Sequence, residues 1–365
     1  MSIPNELNLK IYIGLAKTLN TIPNGFSPTD DGTHLKLLQW IFEPVEAFIA
    51  SKLKLTGVTL KRLSRKVKIP PSQLLPILST MREKGQIDFI RTKKGIKYGL
   101  WPFAVGFYED QLHRMNAELA TLVENYFQKT KGDILLNSDP PLHRVIPVKR
   151  FINTELEIYP YNEAEKLVNS AKSWGIRDCI CRLQQRLIGH TCEYPLSVCL
   201  SFSSRENAYE NDNCMKVISR EEALKVLYEA EEAGLIHTSM NIANGQSYIC
   251  NCCTCCCGIL RGISEFHHPN AIVKSDYRLS IDTELCNGCS KCVNRCQFDA
   301  LSIIDKKCYV NDRCVGCGTC AITCSKNALK LIPREKNDIQ KPPKNIAWWM
   351  IKRAIKRKVN LLRII

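Results

Sequence analysis

All 20 cysteines of this 365-residue chain lie between Cys179 and Cys324. Thiolates are soft ligands that select iron–sulfur clusters, zinc or copper(I). Tight runs such as Cys255-Cys256-Cys257 seldom meet disulfide geometry with one another. The first twenty residues also lack the basic, apolar and cleavage regions of a secretory signal. Metal ligation in a reducing cytosol is therefore the expectation. Eight cysteines carry the sharpest pattern. Cys286-x2-Cys289-x2-Cys292-x3-Cys296 is followed by Cys314-x2-Cys317-x2-Cys320-x3-Cys324. Three cysteines in one short loop can wrap three irons of a cubane, while the fourth opens a segment pointing away. Paired Cys-x2-Cys halves, the usual zinc pattern, are a poorer description.

This run resembles the bacterial two-cluster ferredoxin motif. The resemblance implies one [4Fe–4S] cluster on Cys286, Cys289, Cys292 and Cys324. It implies a second on Cys314, Cys317, Cys320 and Cys296. Cys296 to Leu301 aligns with Cys324 to Leu329, so a duplicated half-module with pseudo-two-fold symmetry is expected. Gly288, Gly316 and Gly318 are expected to let backbone approach the sulfides. The proline that usually follows each fourth cysteine is absent, and Gln297 and Ser325 stand there. Binding should survive, with altered packing or cluster lability.

Upstream lie Cys179, Cys181, Cys192 and Cys199, then Cys250, Cys252, Cys253, Cys255, Cys256 and Cys257. Ten thiols exceed the four that one cubane takes. They suit two cubanes, or one unusual cluster with a spare dithiol, and zinc is the alternative. Arg182 and His190 could balance thiolate charge or hydrogen-bond sulfur, or be ordinary surface residues. Cys214 and Cys308 fall outside the ligand patterns and read as packing residues.

The elements that must position these cysteines are legible in part. Residues 35–50 read as an amphipathic helix that Pro44 kinks or breaks. A short helix over 59–67 follows, with Thr59 a candidate cap, then a helix from Ser72 to Lys84 ending at Gly85. Strand-like runs Gln86–Arg91 and Ile96–Trp101 flank a hairpin turn. Helix, turn, helix, hairpin is the winged-helix order. Residues 109–129 read as helix. The segment 137–150, with Pro140, Pro141 and Pro147, reads as a boundary or extended connector. Ile152–Tyr159 reads as a strand, and Glu163–Ser173 and Arg220–Ala233 as helices, with Ser219 and Glu222 forming a capping box.

Charge is uneven within the formal net +15. Lys52 to Lys97 holds 13 Lys or Arg against Glu83 and Asp88. That balance suits DNA, with the 72–84 helix as reader and Lys93 and Lys94 on phosphates, or an acidic redox partner. The apolar content of that helix argues against strong sequence reading. The tail from Ile346 places Trp348, Ile351, Ile355, Val359 and Leu362 on one helical face. Lys352, Arg353, Lys356, Arg357, Lys358 and Arg363 flank it. Such a helix could pack on its own body, on a partner, or at an anionic membrane surface.

The expected fold class is α+β: a winged-helix-like domain over 35–107, a helix and proline-containing connector over 108–150, a mixed cysteine-rich domain over 151–270, a two-cluster ferredoxin-like domain over 271–333 and a basic tail over 334–365. The order of GLWPFAVGFYE, HRVIPV, DCICR, CNCCTCCCGIL and the twin cysteine motif resembles a family of 4Fe–4S dicluster-containing proteins of anaerobic bacteria and archaea. The leading expectation is a cytoplasmic electron-transfer protein, with peripheral contact at the inner membrane surface open to its tail. A redox-responsive DNA-binding regulator and a reductase with a catalytic middle cluster are the alternatives. Neither GxGxxG nor a Walker A sequence is present, so no nucleotide enzyme is indicated.

Overall fold

The computed structural model describes residues 5–153, 158–210 and 212–360. They form two compact units. One comprises Met1–Asp139, Gln184–His190 and Met350–Ile365, and the other Pro140–Leu183 and Thr191–Trp349.

The first unit opens with the helix Asn5–Asn20. Its Tyr12, Leu15 and Leu19 are buried, at three- and four-residue spacing. The expected 35–50 helix is two helices, Thr33–Ile41 and Pro44–Ala50. Pro44 takes the first helical position, where its missing N–H costs nothing, and Glu43 and Glu46 cap each other's backbone. Next come a short strand Val58–Thr59 and helices Leu60–Val67 and Pro71–Glu83. The hairpin pairs Ile87–Thr92 with Gly95–Leu100, and Val58 sits opposite Tyr98. The Gly95–Leu100 strand is thus central in a three-stranded sheet. Only Leu74, Leu78 and Met81 of the Pro71–Glu83 helix are buried. Arg82 lies 4.8 Å over the Phe89 ring, so it is already engaged. The expected 109–129 helix breaks at Met115, where Asn116 accepts the Leu119 N–H (2.9 Å) and starts the Ala117–Thr130 helix.

The tail forms the helix Ile346–Lys356. Its inward face is not the expected one. Trp348 and Ile355 remain 53% and 61% exposed, whereas Trp349, Arg353 and Ala354 are buried. Within the first unit, Arg353 donates to the carbonyls of Ile134 (3.1 Å), Ser138 (2.8 Å) and Pro23 (2.9 Å). Burial pushes its guanidinium down to about 9. An arginine that satisfies a helix's last carbonyls behaves as an inward residue, which a pattern of apolar side chains does not register. Leu362 and Arg363 lie outside the described residues.

A seven-stranded sheet organises the second unit. Its spatial order is Ile272–Val273, His143–Val145, Ile236–Met240, Tyr248–Cys252, Ser197–Ser203, Ser173–Asp178, Lys216–Ile218. The first pair is parallel and the others are antiparallel. The proline-bearing 137–150 segment is therefore more than a connector, since its His143–Val145 strand lies inside the sheet. The helices Ala164–Asn169 and Arg220–Ala233 cover a core of Leu167, Val168, Leu200, Phe202, Leu227 and Ile249. The first of these is shorter than expected, because Ser173 already begins a strand. Of the expected 152–159 strand, Ile152 makes one isolated bridge to Leu331, and residues 154–157 lie outside the described ones.

Ser219 and Glu222 form the capping box of the Arg220–Ala233 helix. Its far end closes at Gly234, with φ +93°. Arg295 donates to the Glu231 carbonyl (2.9 Å) and Gln297 to that of Gly234 (2.5 Å). The ferredoxin-type region is thereby tied to the end of that helix. Two small sheets complete this region: Tyr277–Ile281 with Leu329–Pro333, and Leu301–Ile304 with Lys307–Val310. No helix among the described residues is long and apolar enough to cross a membrane.

Candidate metal centres

The two halves of the repeat interleave. Cys286, Cys289, Cys292 and Cys324 line one cavity. Cys296, Cys314, Cys317 and Cys320 line another. Each cavity therefore takes three cysteines from one half and the fourth from the other. The repeat is also visible in its hydrogen bonds. Ala300 N–H donates to Cys296 Sγ (3.4 Å), and Ala328 N–H donates to Cys324 Sγ (3.3 Å). Donors to sulfur stabilise thiolate charge and tune the potential of a bound cluster. Burial pushes the Cys317 thiol up to about 11. Four convergent sulfurs, an apolar lining and N–H donors aimed at sulfur fit a cubane in each cavity.

Two of the glycines are required by neighbouring backbone. Gly288 and Gly316 have φ +71° and +70°. A Cβ there would lie 2.5 Å from the Lys306 carbonyl oxygen and 2.0 Å from that of Tyr277, respectively. Glycine is thus required by backbone packed against backbone. Cys308 is also closer to the chemistry than its sequence position indicated. It lines the first cavity, its N–H donates to Cys286 Sγ (3.4 Å), and its thiol accepts from Cys292 Sγ (3.5 Å). No spacing rule marks it, because a strand brings it there. Cys214 lies in the loop before Lys216–Ile218, its N–H bonded to Asp212 (2.9 Å).

The ten upstream cysteines divide into two sets. Six form a closed ring in which each thiol contacts two neighbours, in the order Cys179, Cys181, Cys257, Cys252, Cys250, Cys199. The adjacent inner strands Ser197–Ser203 and Tyr248–Cys252 and the Ile180–Leu187 helix supply four of them, and Cys179 immediately precedes that helix. The other four, Cys192, Cys253, Cys255 and Cys256, gather within 4.8 Å of one another. The short run Cys250 to Cys257 is thus divided, with Cys250, Cys252 and Cys257 in the ring and Cys253, Cys255 and Cys256 in the other set.

Arg182 stands between the two sets. It is fully buried. Its Nε donates to Cys253 Sγ (3.4 Å), and its other nitrogens donate to the carbonyls of Pro195 (2.7 Å) and Asn251 (2.5 Å). Burial alone would push the guanidinium pKa down, but the Cys179 and Cys253 thiolates raise it above its ordinary value. His190, by contrast, is an exposed residue of the first unit.

Gln297 explains part of the departure from the ferredoxin pattern. Its Oε1 accepts the Thr254 N–H (2.8 Å), so the residue after Cys296 grips the loop between Cys253 and Cys255. Shared apolar packing continues this linkage. Tyr277, Leu279, Leu301 and Leu331 pack with cysteines of both ferredoxin-type quartets. Val145, Ile236, Leu260 and Phe298 pack Cys296, Cys314 and Cys317 together with Cys250, Cys252 and Cys257.

Residues 279–302 match the family model of the 4Fe-4S binding domain. The chain therefore carries an iron–sulfur domain of ferredoxin type, and the match holds Cys286, Cys289, Cys292 and Cys296. No curated protein and no solved structure matches the chain.

Proposed function

We propose that this protein relays electrons through two [4Fe–4S] clusters and a third iron–sulfur centre. Cys286, Cys289, Cys292 and Cys324 would hold the first cluster. Cys314, Cys317, Cys320 and Cys296 would hold the second, and the six-thiol ring the third. Such clusters supply one-electron chemistry, at potentials set by hydrogen bonds to sulfur and by exposure. The observation that carries the reading is the continuous apolar packing from one quartet to the next and on to the ring. It keeps water from the intervening space, so the residues between centres need not reorganise around a moving charge.

The basic surface of the first unit suits an acidic redox partner. Lys52, Lys54 and Arg62 crowd Lys66; burial first, then their repulsion, lowers its pKa. Rim charge of this kind speeds encounter more than it tightens binding. Carrier action fits better than gene regulation, because a sensor does not need a ferredoxin pair and a further thiol ring.

Iron and sulfide content with EPR, on anaerobically isolated wild type and on Cys286→Ser/Cys314→Ser, tests the assignment. About 12 irons per chain are expected if all three centres are cubanes. Saturation at about eight irons would remove the third centre from the account.

A further inference from the structure

We propose that Cys192, Cys253, Cys255 and Cys256 hold a single tetrahedral Zn²⁺ ion that takes no part in electron transfer. The inference does not depend on the relay and gives the upstream cysteines two different chemistries.

Cys192 Sγ lies 4.0 Å from Cys253 Sγ and 3.8 Å from Cys255 Sγ, and Cys255 Sγ lies 3.7 Å from Cys256 Sγ. A Zn–S bond of about 2.3 Å in a regular tetrahedron places the sulfurs about 3.8 Å apart. A cubane needs its thiolates farther apart, since a four-iron body must fit among them. The chain contains its own comparison. Among the described residues, this is the one group of three or more candidate ligands whose ligand atoms all lie within 4.8 Å of one another. The ferredoxin-type quartets surround their cavities more openly, and so does the six-thiol ring.

The charge around the site agrees. Four thiolates and one Zn²⁺ carry a net charge of −2, and a fully buried cation is in hydrogen-bonding contact with one of the sulfurs. An outer donor of this kind fixes a ligand sulfur and balances its charge. Four protein ligands leave no open position, as in structural rather than catalytic zinc sites. Tetrahedral sulfur sites take zinc or iron, and the Irving–Williams order favours Zn²⁺ over Fe²⁺ in the same cage. The site would lock the 191–196 loop to the turn after Tyr248–Cys252. Thr254, inside that turn, receives Gln297, so the zinc would also anchor the ligand loop of Cys296.

Elemental analysis and zinc-edge X-ray absorption on the anaerobically purified full chain test this. The expected result is about one zinc per chain with four sulfurs at about 2.3 Å. Cys255 is the most exposed of the four, so Cys255→Ser disturbs packing least. That variant should retain zinc against a chelator at least about tenfold less well, with its iron content unchanged. If it does not fold, Co²⁺ loaded into the wild-type chain in place of zinc should give tetrahedral thiolate-to-cobalt bands. A Cys255→Ser chain that loses about four irons, a single iron at this site, or a zinc shell containing oxygen or nitrogen would overturn the assignment. Iron counted in the same samples reports separately on the relay.

Discussion

Replacing Arg182 with Met removes a buried cation that contacts the upstream thiols and keeps an unbranched, though shorter, side chain. Three hydrogen bonds disappear with it: one to Cys253 Sγ and two to the carbonyls of Pro195 and Asn251. Asn251 is itself fully buried. Its carbonyl then loses its donor, at about 1–3 kcal/mol. The thiolates also lose their nearest positive charge, and breaking a buried charge pair from one side costs about 3–5 kcal/mol. These contributions overlap, so the expected loss is about 3–5 kcal/mol in all. Urea unfolding of the anaerobically held chain reads it as a lowered midpoint, and a chromophoric chelator reads faster zinc release. Arg182→Lys keeps the charge but cannot reach all three acceptors, so it should fall between wild type and Met. An Arg182→Met chain with the wild-type midpoint and release rate would refute the idea that this guanidinium balances metal-bound thiolates.

Three further outcomes follow from the same geometry. Cys296→Ser should perturb the cluster of Cys314, Cys317 and Cys320 more than its sequence neighbours at Cys286–Cys292, because it lines the former cavity; selective loss of the other cluster's EPR signal would contradict this. Gln297→Ala should cost about 1–3 kcal/mol in urea unfolding while both ferredoxin-type clusters remain, since it removes the bonds to Thr254 and Gly234 but no ligand; an unchanged midpoint would count against the grip. Burial pushes His143 down to about 3. As pH falls below about 6.5 the unfolded chain binds a proton there that the folded chain refuses, so stability falls by up to about 1.4 kcal/mol per pH unit. His143→Gln lacks that loss, so the stability gap between the two chains should narrow between pH of about 7 and about 5.5, and parallel curves would show that His143 protonates when folded.

Local chemistry was the legible part of the sequence. The x2-x2-x3 spacing forces short loops, and the 28-residue offset is repeated in the paired N–H donors of Ala300 and Ala328. The capping box at Ser219 and the hairpin around Lys93-Lys94 also follow from local residue chemistry. What escaped depends on contacts distant in sequence. Cys308 reaches its cavity only through strand pairing. The division of Cys250 to Cys257 into two sets depends on which thiols arrive from Cys179 to Cys199. Arg353 turns inward because carbonyls from elsewhere need its donors, while the apolar pattern pointed to Trp348 and Ile355. The Asn5–Asn20 helix, by contrast, carries a local apolar period in Tyr12, Leu15 and Leu19.

The central claim is reversible electron storage in the ferredoxin-type pair. Anaerobic titration with a low-potential one-electron reductant, followed by reoxidation with a small-molecule acceptor, tests it most directly. The account predicts at least two electrons taken up and returned per chain, with EPR showing magnetically coupled reduced clusters. Cys286→Ser/Cys314→Ser should lose that coupled signal and most of the uptake. A wild-type chain with its full iron complement that takes up no electrons, or a double variant that stores as many as wild type, would contradict the relay.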